Sequence, residues 1–307
     1  MINFEILEIS SHLGENIVSP ASLFDDDDGR ISVKTGINIL HRSQKTAFEL
    51  AINAANENSL IKKNKENIEH IIYVTQSPQN YLPNHASQLQ NSLDINNNCM
   101  CFDINQGCSG FVQALFVAIN LLRSQSKKLA LIVCTDTYSQ HLSKTDRSTQ
   151  ALFSDGATAT LISSGSKWKL RDFSHYTDGS GADFLIKTVC PENRLTMNGI
   201  KVFQWTRKIL GKQILNMLNK CQLPKDDVDE FYLHQASKLV IENVRRGLDV
   251  SEKKIPTTLE ITGNLVSSSL PFLIQHNFEN FCKNKVNVLS GFGVGLSCSS
   301  MIIEKIS

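Results

Sequence analysis

The chain says a similar thing twice, and that repetition limits the folds open to it. In the first half an apolar run at residues 127–135 is followed by a loop. Then comes Phe153-Ser154-Asp155-Gly156-Ala157-Thr158-Ala159-Thr160-Leu161-Ile162, a small-residue segment with a Gly-containing hairpin signal. In the second half the strand-like run Lys285–Ser290 passes straight into Gly291-Phe292-Gly293-Val294-Gly295-Leu296, then Met301-Ile302-Ile303. Small residues in or beside such runs imply close backbone approach at a sheet centre. Helix-period segments alternate with them. Phe111, Ala114, Leu115, Ala118 and Leu122 share one face of a helix beginning near Cys108, and Ile209, Ile214 and Leu218 do the same across 208–219. This alternation predicts an α/β architecture with helices packed on sheets. No Pro-, Gly- or Ser-rich linker separates two domains, so the pattern alone ends at two similar α/β halves.

Composition narrows the function. The 307 residues are 41% hydrophobic and 20% charged, enough for two domains of average size or one large layered unit built from two halves. A net charge of +1, with both signs spread along the chain, offers no footprint for nucleic acid. Asp25-Asp26-Asp27-Asp28 lacks regular ligand spacing, which favours a solvated loop over a cation site. Met1 to Ile9 has neither the basic start nor the cleavage site of a signal peptide and reads as a first strand. The longest helical apolar stretch, Gly110 to Leu122, is interrupted by Gln113 and Asn120 and is too short to span a bilayer. A soluble, cytoplasmic protein is expected.

Eight cysteines in a chain this long do not suggest a disulfide scaffold. Cys99 and Cys101 have one residue between them, unlike a structural zinc site, and no second pair matches, so no metal is expected. Cys134 falls in the strand-like run Leu129–Thr135 and reads as buried. Cys190, Cys221, Cys282 and Cys298 have no helpful neighbours. Cys108 differs. Cys101-Phe102-Asp103-Ile104-Asn105-Gln106-Gly107-Cys108-Ser109-Gly110-Phe111 reads as strand, tight turn and helix, with Cys108 at the helix start. Free N–H groups and the helix dipole there favour thiolate, as an activated sulfur nucleophile requires. Taken alone, the junction fits a buried packing cysteine equally well.

The segment Asp103–Phe111 resembles the nucleophile turn of β-ketoacyl-acyl carrier protein synthase III, within the wider thiolase and polyketide synthase superfamily. The resemblance continues nearly end to end. It runs through Lys34-Thr35-Gly36-Ile37, Leu82-Pro83-Asn84-His85-Ala86-Ser87-Gln88-Leu89-Gln90, Thr145-Asp146-Arg147, Phe153–Ala157, Leu195-Thr196-Met197-Asn198-Gly199 and Val202-Phe203. Leu233-His234-Gln235-Ala236-Ser237 is similar to the family's His-Gln-Ala-Asn signature, and Thr262–Ser269 to its Gly-Asn-Thr-Ser-Ala-Ala-Ser signature. The resemblance implies a thiolase-like fold of αβαβα layers. Residues 1–163 would form the half with the nucleophile, and 164–307 the half with His234 and Asn264. It further implies a catalytic set of Cys108, His234 and Asn264, no cofactor, and an oxyanion hole from the backbone N–H groups of Cys108 and Val294. Lys34, Tyr81, Leu82, Arg147, Phe203 and Ser237 would contact substrate. The implied partners are an acyl thioester on coenzyme A or acyl carrier protein, and a second copy of the chain, whose pocket the Tyr81–Leu82 segment would close.

The chemistry accounts for these residue types. An acyl group on Cys108 must meet a carbanion, which loss of carbon dioxide from a malonyl thioester supplies. Neutral donors from His234 and Asn264 stabilise the resulting enolate, where a carboxylate would repel it. The chain also departs from the pattern. Val294 replaces a glycine, Arg30 stands where many relatives have a tryptophan, Lys34 replaces an arginine, and Leu82 stands where a phenylalanine often closes the pocket. Three readings stay open: decarboxylative condensation, acyl transfer to an alcohol or amine, and a subunit of a heterodimeric synthase. Intact Asn264 favours the first, and the complete Cys108, His234 and Asn264 set argues against the last.

Overall fold

The computed structural model describes residues 2–24, 29–124, 128–188 and 194–306. Asp25–Asp28 and Cys190, both read above from sequence, lie outside them. Among the described residues there are twelve strands: β1 (Ile2–Leu13), β2 (Asn16–Val18), β3 (Leu40–Arg42), β4 (Ile68–Val74), β5 (Met100–Ile104), β6 (Leu129–Asp136), β7 (Gly156–Thr177), β8 (Leu185–Lys187), β9 (Leu195–Met197), β10 (Glu230–Leu233), β11 (Val286–Gly293) and β12 (Ser297–Lys305). Eight of them hydrogen-bond in the order β10-β11-β12-β7-β6-β4-β5, with β1 also on β7.

β7 explains how one strand path forms two halves. Its first part, Gly156–Ser163, pairs antiparallel with β6, and its second part, Trp168–Thr177, pairs antiparallel with β12. The first half goes on with the parallel pair β6–β4, the second with the antiparallel pair β12–β11 and then the parallel pair β11–β10. β7 therefore changes partners between Ser163 and Trp168.

Side chains alternate across a strand, so each sheet has two faces to cover. Ile72, Val74, Ile132, Tyr232, Leu289 and Met301 face a central core with Phe111, Leu115, Leu270 and Leu273. Their neighbours Ile71, Tyr73, Leu131 and Val133 face outward, onto Leu50 and Leu89. Phe231, Leu233, Val288 and Ile302 face the opposite outer side, onto Leu210, Ile214 and Val244. The helices Gly110–Leu121 and Ser269–His276 therefore form a middle layer between the two half-sheets, with outer helices beyond each. This is the αβαβα stack of a thiolase-like fold. Burying both faces explains why β6 carries a near-continuous apolar run and why every residue of β11 is buried.

Two local readings change. Asp155-Gly156 makes no tight hairpin. The Asp155 carboxylate is fully buried and accepts from Ser43 N, Ser139 N and Ser139 Oγ, and Gly156 opens a long strand. The helix expected over 208–219 runs Gly199–Lys220, because Asn198 caps it by accepting from Lys201 N.

Candidate active site

Cys108 lies on the turn between β5 and the helix Gly110–Leu121, just ahead of that helix. Gly107 O accepts from Gly110 N at 2.8 Å and tightens the turn. A Cβ on Gly107 would sit 2.5 Å from Gln76 Oε1. β11 approaches from the other half. A Cβ on Gly291 would meet Cys108 O at 2.5 Å, and one on Gly293 would meet Cys108 Sγ at 3.0 Å. Burial, then the Asp136 charge, pushes the Cys108 thiol well up. The helix end pulls the other way, but a site this dry keeps the resting sulfur a thiol, contrary to the expected thiolate.

His234 follows β10 directly, and its N–H donates to Ser290 O at 2.8 Å, one residue before Gly291. That bond places it beside the strand that touches Cys108. Its ring is 1% exposed and stands edge-on to Phe292 at 5.4 Å. Burial lowers its pKa to about 3, so at neutral pH the imidazole is uncharged with one N–H to donate. Gln235 fixes the loop: its Nε2 donates to Leu233 O, and its Oε1 accepts from Thr257 Oγ1 and Thr258 N.

Asn264 is locked beside Phe153. Its N–H donates to Leu152 O and its carbonyl accepts from Ser154 N, each at 2.9 Å. Gly263 before it has φ +62, and a Cβ there would meet Leu40 Cδ2 at 2.7 Å. The Asn264 Oδ1 accepts from Val266 N at 2.9 Å, which leaves Nδ2 as the free end of the amide among the described residues. Val266 itself has φ 54, a costly conformation for a β-branched residue, and packs in the same apolar cluster as Cys108.

Sequence reasoning missed the brace behind these loops. Asp136, at the end of β6, is fully buried. One carboxylate oxygen accepts from Gln76 N and Ser77 Oγ, the other from Ser267 N and Ser267 Oγ. It ties the loop after β4 to the loop after Asn264. Burial raises its pKa to about 6 against the pull of these donors. The available signal was a lone carboxylate ending the buried run Leu129–Asp136.

The cluster around Cys108 joins two cavities. Leu152, Met197 and Val202 from it line one of about 620 Å³, where Lys34, Arg147, Phe203 and Ser237 also converge. Tyr138, Leu185, Leu195 and Val294 line the other, of about 550 Å³, together with Tyr81. Leu82 lines neither and is 87% exposed in the single chain. Val294 is not among the residues with positive φ, so its side chain brings no strain. Cys298 is buried, with Sγ against Gln213 Oε1 at 3.2 Å. Among the described residues, no group of His, Cys, Asp and Glu is placed to hold a metal, and no helix is long and apolar enough to cross a membrane.

Residues 102–179 match the family described as 3-oxoacyl-[acyl-carrier-protein (ACP)] synthase III, and residues 218–305 match its C-terminal part. The chain is 30% identical to the β-ketoacyl-[acyl-carrier-protein] synthase III of Streptococcus agalactiae, over 99% of this chain and 100% of that one. It belongs to the β-ketoacyl-[acyl-carrier-protein] synthase III family. A crystal structure of a 3-oxoacyl-(acyl-carrier-protein) synthase III superposes with a TM-score of 0.91 at 29% identity, covering 98% of this chain and 99% of that one. The 3-oxoacyl-(acyl carrier protein) synthase III of Pseudomonas aeruginosa gives 0.90 at 25% identity, covering 98% of each chain. The chain is accordingly an enzyme of the condensing type.

Proposed function

We propose that this synthase loads an acyl group on Cys108 and then performs a decarboxylative Claisen condensation with a malonyl thioester, using His234 and Asn264. In loading, Cys108 Sγ bonds the acyl carbon, the carrier's carbon–sulfur bond breaks, and the thiol proton leaves with the carrier sulfur. In condensation, the malonyl carbon–carbon bond breaks and carbon dioxide departs. The electron pair enters an enolate whose oxygen takes donors from His234 and Asn264. The enolate carbon then attacks the acyl carbon, the oxyanion takes the N–H groups of Cys108 and Val294, and Cys108 leaves as thiolate to regain a proton.

The observation that carries this reading is the Asn264 amide. Its oxygen is held by Val266 N–H, which leaves the donor end for substrate beside an uncharged His234. One preorganised donor is worth about 2.7–4 kcal/mol to the transition state. Asn264→Asp should therefore retain acyl loading and lose carbon dioxide release by at least about two orders of magnitude. The measurement is labelled carbon dioxide from carboxyl-labelled malonyl thioester, beside intact-mass detection of loading. Wild-type enzyme that loads but releases no carbon dioxide with either malonyl carrier would replace condensation with acyl transfer.

Two further parts belong to this reading. Lys34 and Arg147, exposed at the rim of the apolar cavity, would receive the anionic carrier arm. A second copy would pair along the sheet edge at β5, where Met100 is exposed, with the exposed Tyr81 and Leu82 reaching across. The division into halves near residue 163 rests on the change of partners along β7.

A further inference from the structure

The cavity on the Tyr138 side of Cys108 is not uniformly apolar. Leu185, Leu195, Val294 and the Tyr138 ring cover its wall nearest the nucleophile, since they pack in the Cys108 cluster. Its remaining lining includes Lys187, His141 and Asn105. Lys187 is held by the short ladder in which it pairs with Leu195. It is half-buried, and among the described residues no carboxylate lies within ion-pair distance of it. The Asp136 charge acts on it at a distance, but both Asp136 oxygens are occupied by Gln76, Ser77 and Ser267. His141 is kept uncharged by burial and by the Lys187 cation, with its pKa lowered to about 4. An ammonium offers three donors and no acceptor, so its complement is an anion or a strong acceptor.

We propose that this cavity selects an acyl thioester whose far end carries a carboxylate, with the acyl carbon at Cys108 and the distal anion on Lys187. The inference rests on the loading step proposed above and names its substrate class. A plain alkyl chain would strip water from the half-buried ammonium and give nothing in return, which makes such a chain the poorer ligand. The near wall still accepts the methylene segment between the two ends.

The full chain is incubated with glutaryl-, adipyl-, butyryl- and hexanoyl-coenzyme A, and the initial rate of adduct formation on Cys108 is followed by intact mass. The half-thioesters of dicarboxylic acids should load about tenfold or more faster than the plain chains, the gain expected of a charge-assisted hydrogen bond. Lys187→Met should remove that ratio, and Lys187→Arg should keep most of it. Thermal midpoints of both variants separate selectivity from folding. Plain chains loading as fast as the dicarboxylic ones in the wild type, or a ratio unchanged by Lys187→Met, would overturn the inference. In that case carbon dioxide release with plain acyl starters would leave the condensation reading standing. Loading from none of the four would remove both.

Discussion

The two halves bring the same elements to the site but finish them differently. In the first, the helix Gly110–Leu121 starts just after Cys108; in the second, Ser269–His276 starts shortly after Asn264. Past β4 the Thr75 N–H is held by the Ile104 carbonyl, as past β10 the His234 N–H is held by that of Ser290, but the first half adds the Asp136 side chain on the Gln76 N–H. The first half thus ends β6 on a buried carboxylate that ties one of its own loops to the Ser267 loop of the second half. The second ends β11 on glycines, because Cys108 lies against them. The proposed nucleophile, Cys108, comes from one half and needs a bare surface on the other, where Gly291 and Gly293 lie against it.

The bare surface is the place to break this arrangement most severely. A methyl on Gly291 meets the Cys108 carbonyl, which belongs to backbone and cannot swing aside. Gly291→Ala should slow acyl loading by about 100-fold, the effect of misplacing a reacting group by about 1 Å. The counterpart is Gly156→Ala in the first half. There the added methyl meets mainly the ends of two leucine side chains, at 3.0 and 3.1 Å, which can rotate. Loading rates by intact mass should fall for the first variant and stay within about threefold for the second, since flexible chain ends yield at little cost. Equal losses would mean that close approach in the second half has no special role.

Asp136 gives a smaller effect with a defined sign. Its folded pKa of about 6 is raised from 3.8, so the folded state binds the proton more tightly than the unfolded chain. Its contribution to stability therefore falls as pH rises from about 4 to about 6, by at most about 3 kcal/mol, and is flat above that. His234 works in the opposite direction. With its folded pKa lowered from 6.5 to about 3, its contribution rises with pH across that window. Asp136→Asn deletes the falling limb and leaves the rising one. Urea midpoints between pH 4 and 6.5 should climb more steeply in the variant than in the wild type. At neutral pH the variant should also be weaker by about 1–3 kcal/mol, because the amide nitrogen faces a backbone N–H that then lacks an acceptor. Parallel pH profiles would show that Asp136 titrates in the folded state as it does in the unfolded one.

What the sequence disclosed follows the same division. The glycines of β11 were legible because close approach leaves only one residue type possible, and the Cys108 turn because strand, glycine and helix are contiguous. His234 and Asn264 were legible only through resemblance, since a histidine after a strand and an asparagine after glycine have ordinary structural uses. Asp136 was not legible as a brace, because its partners Gln76 and Ser267 lie far off in the chain. Nor was Lys187, which becomes a cavity residue only when β8 and the segment around Tyr138 are brought together. The strain at Val266 had no local sign either. A β-branched residue is the last expected at positive φ, and it is held there by Asn264 Oδ1.

The rim of the apolar cavity tests how far the comparison reaches beyond the two helix starts. Lys34 and Arg147 come from the first half, and the exposed Ile200 and Leu239 facing them come from the second. The Arg147 guanidinium lies 4.6 Å from the Phe24 ring centroid, which holds it at the rim. An anionic carrier arm would meet cations on one side and apolar surface on the other. Charge reversal, Lys34→Glu or Arg147→Glu, should raise the apparent KM for the acyl donor about three- to tenfold at low salt, with kcat little changed, since these groups touch the arm and not the reacting carbon. At 0.5 M salt the difference should shrink toward the wild-type value, because exposed charges are screened over less than about 10 Å. Ile200→Ser and Leu239→Ser should raise KM as well, but to the same degree at both salt concentrations, since burial of apolar surface is not screened. Reversals that act equally at both salt concentrations would mean that Lys34 and Arg147 hold the arm by packing and not by charge.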